Sequence, residues 1–129
     1  MEMSLLTRWF LLLLAGGLGA IGRYALSTWG NRLWGEDYPW GILCVNLAGC
    51  FLFGFLFVWF TEHSPSALGR IIFLTGFLGA FTTFSTFMFD TVILLEQGRH
   101  AAALSNLCFH NLLGIVMIYA GFLLARTTL

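Results

Sequence analysis

The sequence predicts an all-α polytopic membrane protein. It has four transmembrane helices, the third of them interrupted, and two copies pair antiparallel in a dual-topology homodimer. Three observations carry this: a composition too apolar for water, four long apolar runs, and an even split of arginine between the two membrane faces. Hydrophobic residues make up 59% of the 129 residues and charged residues 9%. Mean hydropathy is +0.88. A water-soluble domain carries roughly 25% charged residues, so much of this surface must face lipid. Net charge is zero and lysine is absent. No basic stripe exists to follow phosphates, which argues against a nucleic-acid partner. The length fits one domain, residues 1–129.

A helix crosses roughly 30 Å of hydrocarbon with about 20 apolar residues. The first candidate, 9–27, is long enough but contains Arg23. It also carries Gly16, Gly17, Gly19, Ala20 and Gly22, a small-residue face suited to close helix packing. Arg8 followed by an apolar run and small residues also fits a cleaved leader. The glycine-rich face favours a retained helix. Residues 40–60, 71–89 and 101–125 contain no charge. The expected spans are therefore 5–28, 40–61, 69–95 and 101–126. The connections hold the turn signals Gly30-Asn31, Gly35-Glu36-Asp37, Pro39, Ser64-Pro65-Ser66 and Gln97-Gly98. Such short connections leave no room for a soluble domain. Backbone at membrane depth must pair internally, which selects helices.

Four spans put both termini and the 61–70 connection on one face, with Arg8, Arg70 and Arg126. The opposite face has Arg23, Arg32 and Arg99. Lys/Arg bias in short loops sets topology. A balanced chain inserts both ways up, and opposite copies form the two-chain equivalent of an inverted repeat. Ala48, Gly49, Gly54, Gly76, Gly79 and Ala80 add small packing faces in the middle spans.

Polar residues at depth mark function or partners. They are Arg23, Asn46, Thr75, the cluster from Thr82 to Thr86, Asn106, His110 and Asn111. Asn106 and His110 are i, i+4, with Gly114 one turn further, which makes a polar stripe on one face. Taken singly, each Asn or His reads equally well as an interhelical hydrogen bond. Taken together they point to a path. The segment from Thr75 to Phe87 combines two glycines with several hydroxyls, so an interrupted helix is expected there. Carbonyls freed by a break suit a hard cation such as Na⁺. Phe84 and Phe87 are i, i+3. The rim of a phenyl ring is electropositive, and two rims could partly solvate a small anion. Burial remains the plain alternative in a chain with 14 Phe.

The segment Thr75-Gly76-Phe77-Leu78-Gly79, then Thr82-Thr83-Phe84-Ser85-Thr86-Phe87, resembles the signature of the Fluc fluoride channels, also called CrcB proteins. Gly19-Ala20-Ile21-Gly22-Arg23-Tyr24, Gly41-Ile42-Leu43-Cys44-Val45-Asn46-Leu47 and the polar fourth span extend the resemblance over the whole chain. It implies a dual-topology homodimer with two antiparallel pores in the cell (inner) membrane. Fluoride that entered as HF would leave passively through it, while chloride is rejected. It implies that Asn46 donates its side-chain amide to fluoride and that Phe84 and Phe87 present ring edges to it. Ser85 and Thr86 would supply hydroxyls. The carbonyls of Gly79 and Thr82 from both subunits would hold a structural Na⁺. Arg23 falls at the vestibule end of the first span, either attracting the anion or pairing structurally. Asp90 falls where an acidic residue commonly follows the motif. Position 81 departs from the family pattern: Phe81 either extends the aromatic face or fills an interface. The track Asn106, His110, Gly114 replaces the Tyr and Ser of other members.

Two rival readings share the layout. A small dual-topology proton-coupled multidrug transporter needs a carboxylate within the first span, which has none. A structural membrane subunit leaves the Thr/Phe segment unused. An enzyme is not expected: His63, His100 and His110 are scattered and no Cys-x-x-Cys occurs. Cys44, Cys50 and Cys108 read as reduced packing residues.

Overall fold

The computed structural model describes residues 4–62 and 67–128. His63 and the turn signal Ser64-Pro65-Ser66 lie outside the described residues. The chain forms four helices long and apolar enough to cross a membrane: Leu5–Trp34, Trp40–Glu62, Ala67–Glu96 and His100–Thr128. They are called here the first to fourth spans. Ser4 caps the first, its hydroxyl accepting from the Thr7 N–H at 3.2 Å. Gly35, at φ 86°, ends that helix by donating its N–H to the Asn31 carbonyl. Only a residue without Cβ adopts this conformation cheaply.

Aromatic residues mark two levels. Trp29, Trp34, Tyr38 and Trp40 cluster at one end, with Tyr38 and Trp40 ring centroids 4.6 Å apart. Trp9 and Trp59 stand at the other end. Twenty residues separate Trp9 from Trp29, about 30 Å at ~1.5 Å per residue. That matches the hydrocarbon thickness and the usual interfacial position of Trp. Arg23 then lies about 9 Å inside the Trp29 level.

Glycines let the spans approach. A Cβ on Gly54 would sit 2.3 Å from the Ile118 carbonyl oxygen, and one on Gly121 2.2 Å from that of Phe51. The second and fourth spans therefore touch backbone to backbone. Gly19 does the same against Phe77 of the third span. In lipid this close van der Waals contact replaces the hydrophobic drive. In the apolar 18-residue stretch of each span, 33% of the second and 28% of the third are buried, against 6% and 11% for the first and fourth. The second and third spans form the centre. Val45, Leu78 and Phe81 make its buried cluster.

The third span is irregular. It winds as π-helix over Ile71–Leu78, closes with an α-turn at Gly79–Phe81, and resumes as α-helix over Phe84–Glu96. Between these, Thr82 (φ −81°, ψ 156°) and Thr83 (φ −146°, ψ 116°) are extended. The fourth span has its own π turn at Phe109–Leu113. Wide turns of this kind often accompany functional sites.

Candidate functional site

Extended residues at membrane depth release backbone groups that must find partners. Asn46 of the second span supplies two. Its Nδ2 donates to the Thr83 carbonyl at 3.0 Å, and its Oδ1 accepts from the Thr83 N–H at 2.8 Å. One side-chain amide thus satisfies both backbone groups of one residue, the N–H and the carbonyl of Thr83. Thr83 then caps the next helix: its Oγ1 accepts from the Thr86 N–H at 3.3 Å and lies 3.0 Å from Thr86 Oγ1. Ser85 Oγ is 3.4 Å from the same hydroxyl.

These bonds have a consequence for the carbonyls. In a continuous helix the Thr83 N–H would go to the Gly79 carbonyl and the Thr86 N–H to the Thr82 carbonyl. Here Asn46 and the Thr83 hydroxyl accept those protons instead. The Gly79 and Thr82 carbonyls lose their helical donors. Oxygen groups of this kind fit the chemistry of a hard monovalent cation.

An open cavity of about 390 Å³ lies against this segment. Its wall includes Asn46, Thr82, Thr83, Phe84, Phe87 and His110, with Phe53 and Ile118 as apolar cover. Amide, hydroxyl and imidazole groups are present; no carboxylate or guanidinium is. Phe84 and Phe87 meet at 5.7 Å between centroids with planes at 73°. The other neighbour of Phe87 is His110, stacked at 4.1 Å and 23°. A second cavity of about 370 Å³ opens toward the connections and takes in Asp37, Tyr38, Thr86, Asp90 and Arg99. The Arg99 guanidinium donates to the Asp37 carbonyl across its mouth. Thr86 faces this second cavity and Thr83 the first. Their paired hydroxyls connect the two.

Residues 10–122 match the family described as CrcB-like protein, Camphor Resistance (CrcB). The chain belongs to the CrcB family. A relative in Solidesulfovibrio magneticus, named fluoride-specific ion channel FluC, is 47% identical over 88% of this chain and 91% of its own. Relatives of the same name in Dehalococcoides mccartyi and Parabacteroides distasonis are 43% and 38% identical. Those two matches cover 86% and 91% of this chain, and 87% and 91% of the relatives. The CrcB match spans both cavities and the extended residues between them.

Of the residues singled out in the sequence, Asn46, Thr82, Phe84, Phe87 and His110 meet at the first cavity. Thr86 is at the second, and Ser85 touches the hydroxyl pair from outside. Asn106 is not at either wall. It is fully buried, its Nδ2 donating to Thr91 Oγ1 at 2.9 Å and reaching the Phe87 carbonyl at 3.5 Å. Arg23 lines neither cavity; it is half-buried and has no hydrogen bond or ion pair among the described residues. Phe81 fills the core, stacked on Phe77 at 5.7 Å, and takes no part in the cavity. Sequence reasoning gave Thr83 no role of its own within the Thr82–Thr86 cluster and passed over Thr91. Thr83 carried a signal, a threonine three residues before a helix-compatible Thr86, which is the N-cap spacing. Thr91 carried only its polarity. The cysteines are free, and Cys50 packs beside Gly114.

The Asn46 pairing makes a direct expectation. Asn46→Leu strands the Thr83 N–H and carbonyl, at about 1–3 kcal/mol for each buried group. Denaturation of the detergent-solubilised protein should record the loss. A variant as stable as the parent would mean that Asn46 does not hold this segment.

Proposed function

We propose that this chain is a fluoride-selective channel that passes F⁻ passively out of the cytoplasm, in a multi-pass arrangement in the cell (inner) membrane. One observation carries the reading: the first cavity is walled by amide and hydroxyl donors and three phenyl rings, with no carboxylate among its described residues. Fluoride is small and strongly hydrated, so its water must be replaced by donors. Chloride is larger and fits a narrow donor-lined path poorly. A proton-coupled cation transporter would need the missing carboxylate. Relatives named as fluoride channels, similar over most of their length, support the same assignment.

The roles follow from position. The Asn46 amide has two N–H groups, one held by Thr83 and one left for the ion. Phe84 and Phe87 offer ring rims. The Thr83, Ser85 and Thr86 hydroxyls carry the ion between the cavities, and His110 lines the way with Asn106 behind it. Arg23, without a partner among the described residues and near one interface, draws anions toward that mouth. Binding must be strong enough to dehydrate the ion and weak enough to release it.

The single four-helix domain works as an antiparallel, dual-topology homodimer. The exposed side of the third span supports this. Thr75 and Gly79, one turn apart, face outward, and Phe84 is 72% exposed although it lines the cavity. A hydroxyl and a glycine gain nothing from lipid, but they allow a second copy close approach. The partner then closes the open side of the cavity. In this reading the Gly79 and Thr82 carbonyls of the two copies meet and together hold a structural Na⁺. That ion neutralises the facing carbonyl dipoles.

Vesicles loaded with fluoride or chloride test the function. Those containing the purified protein should lose fluoride, while chloride loss stays at the protein-free rate. Equal rates for the two anions would refute selectivity.

A further inference from the structure

Phe87 stands between two threonines of the third span. Thr83, Phe87 and Thr91 follow at i, i+4 and i+8, on one helix face. Each threonine meets an asparagine of a neighbouring span. At the start of the helix, Asn46 of the second span holds both backbone groups of Thr83. About two turns on, Asn106 of the fourth span donates through Nδ2 to Thr91 Oγ1 at 2.9 Å. The Thr91 hydroxyl in turn donates to the Phe87 carbonyl at 2.8 Å, and Asn106 Nδ2 lies 3.5 Å from the same oxygen. Asn106 also acts through its backbone. Its carbonyl accepts from His110 Nδ1–H at 3.0 Å, and that imidazole stacks on the Phe87 ring at 4.1 Å. Thr91 and Asn106 are both buried. The Asn106 Oδ1 has no hydrogen-bond partner among the described residues. A leucine of similar size would fill the space without that penalty. Packing alone does not account for the amide; what Nδ2 holds does.

We infer that Thr91 is a positioning residue for fluoride transport: with Asn106 it pins the helix two turns past its cap, and so fixes how the Phe87 ring stands at the first cavity. The Asn46 anchor alone sets the height of the helix start and leaves the helix free to turn about its axis. A second anchor, on the same face but to a different span, removes that freedom. Functional groups keep their geometry only where packing and hydrogen bonds behind them lock it. Ring orientation matters here because the quadrupole has two signs. The rim of a phenyl ring attracts an anion and its face repels one. A helix that turns and swings the Phe87 face toward the cavity replaces attraction by repulsion. Thr91 and Asn106 line neither cavity, so they act through Phe87 and not on the ion.

The inference rests on the fluoride-channel reading, and its test separates the two. Fluoride efflux is measured from vesicles containing the purified protein. Thr91→Val keeps the shape of the side chain and removes its hydroxyl. It should slow efflux about two- to tenfold, the rate equivalent of one hydrogen bond. Thr91→Ser keeps the hydroxyl and should keep the rate. In a Phe87→Ile background, which has no rim to position, Thr91→Val should add no further loss. Asn106→Leu cuts the same bond from the fourth span. It should behave as Thr91→Val does in both backgrounds, and it stands in for that variant if Thr91→Val does not assemble. A parental rate in Thr91→Val, an equal loss in Thr91→Ser, or an equal loss added to that of Phe87→Ile overturns the inference. A parent that carries no fluoride overturns the channel reading instead. A second measurement needs no transport. 4-Fluorophenylalanine at position 87 gives one ¹⁹F NMR signal from the protein in micelles. That signal should move in Thr91→Val and stay in place in Thr91→Ser. A signal that Thr91→Val leaves unmoved overturns the inference.

Discussion

Phe84→Ile reduces fluoride efflux about ten- to a hundredfold and leaves the fold intact. The two halves of this expectation have separate grounds. Phe84 is 72% exposed in the single chain, so replacing it removes little packing within the subunit. Isoleucine matches the apolar character of phenylalanine but has no quadrupole, and so no electropositive rim for an anion. A loss of about 1.4–2.8 kcal/mol at the barrier corresponds to this range of rates. Phe87→Ile should lower efflux as much, with an added folding cost. Phe87 is 4% exposed and lies between Phe84 and the His110 ring. Fluoride-electrode traces from reconstituted vesicles measure the rate, and size-exclusion profiles measure the assembly. Normal conduction by both variants would show that the rings only pack.

The four helices were legible because lipid imposes a length and a composition that a single sequence displays directly. The uncharged runs at 40–60, 71–89 and 101–125 all lie inside helices. The polar stripe of Asn106 and His110 was legible as spacing, and the two do share one turn, joined by the bond from Nδ1. Their division of labour was not. Helical spacing gives a face, and only packing decides that Asn106 turns inward to Thr91 while His110 reaches a cavity. The pairing of Asn46 with Thr83 was hidden for a similar reason. Thirty-seven residues separate them, and no local periodicity links a side chain to a distant peptide. Phe81 was undecidable from type alone, since one more phenylalanine among 14 fits a pore or a core equally. The glycines settle it. Gly22 of the first span and Gly49 of the second leave room for the Phe81 ring of the third.

The proposed antiparallel pair makes the other large prediction. The arginines divide evenly between the two ends, and each aromatic belt has them nearby, so neither end is marked as cytoplasmic. Replacing Glu96 and Gln97, both exposed at one end of the third span, by arginine makes that end strongly positive. Replacing the exposed Thr127 and Thr128 by arginine does the same for the opposite end. Each double variant then inserts in one orientation only, which cysteine labelling from either side of the membrane would read. If the pore needs a partner of opposite orientation to close the open side of the cavity, either variant expressed alone should give fluoride efflux at the protein-free background. Co-expression should restore it, because one variant supplies each orientation. Full transport by a single locked variant would rule out antiparallel assembly. It would also require some other cover for the outward-facing Thr75, Gly79 and Phe84. Restoration only on co-expression would tie the balanced arginine count to the architecture, since four helices of one orientation leave the cavity unwalled on that side.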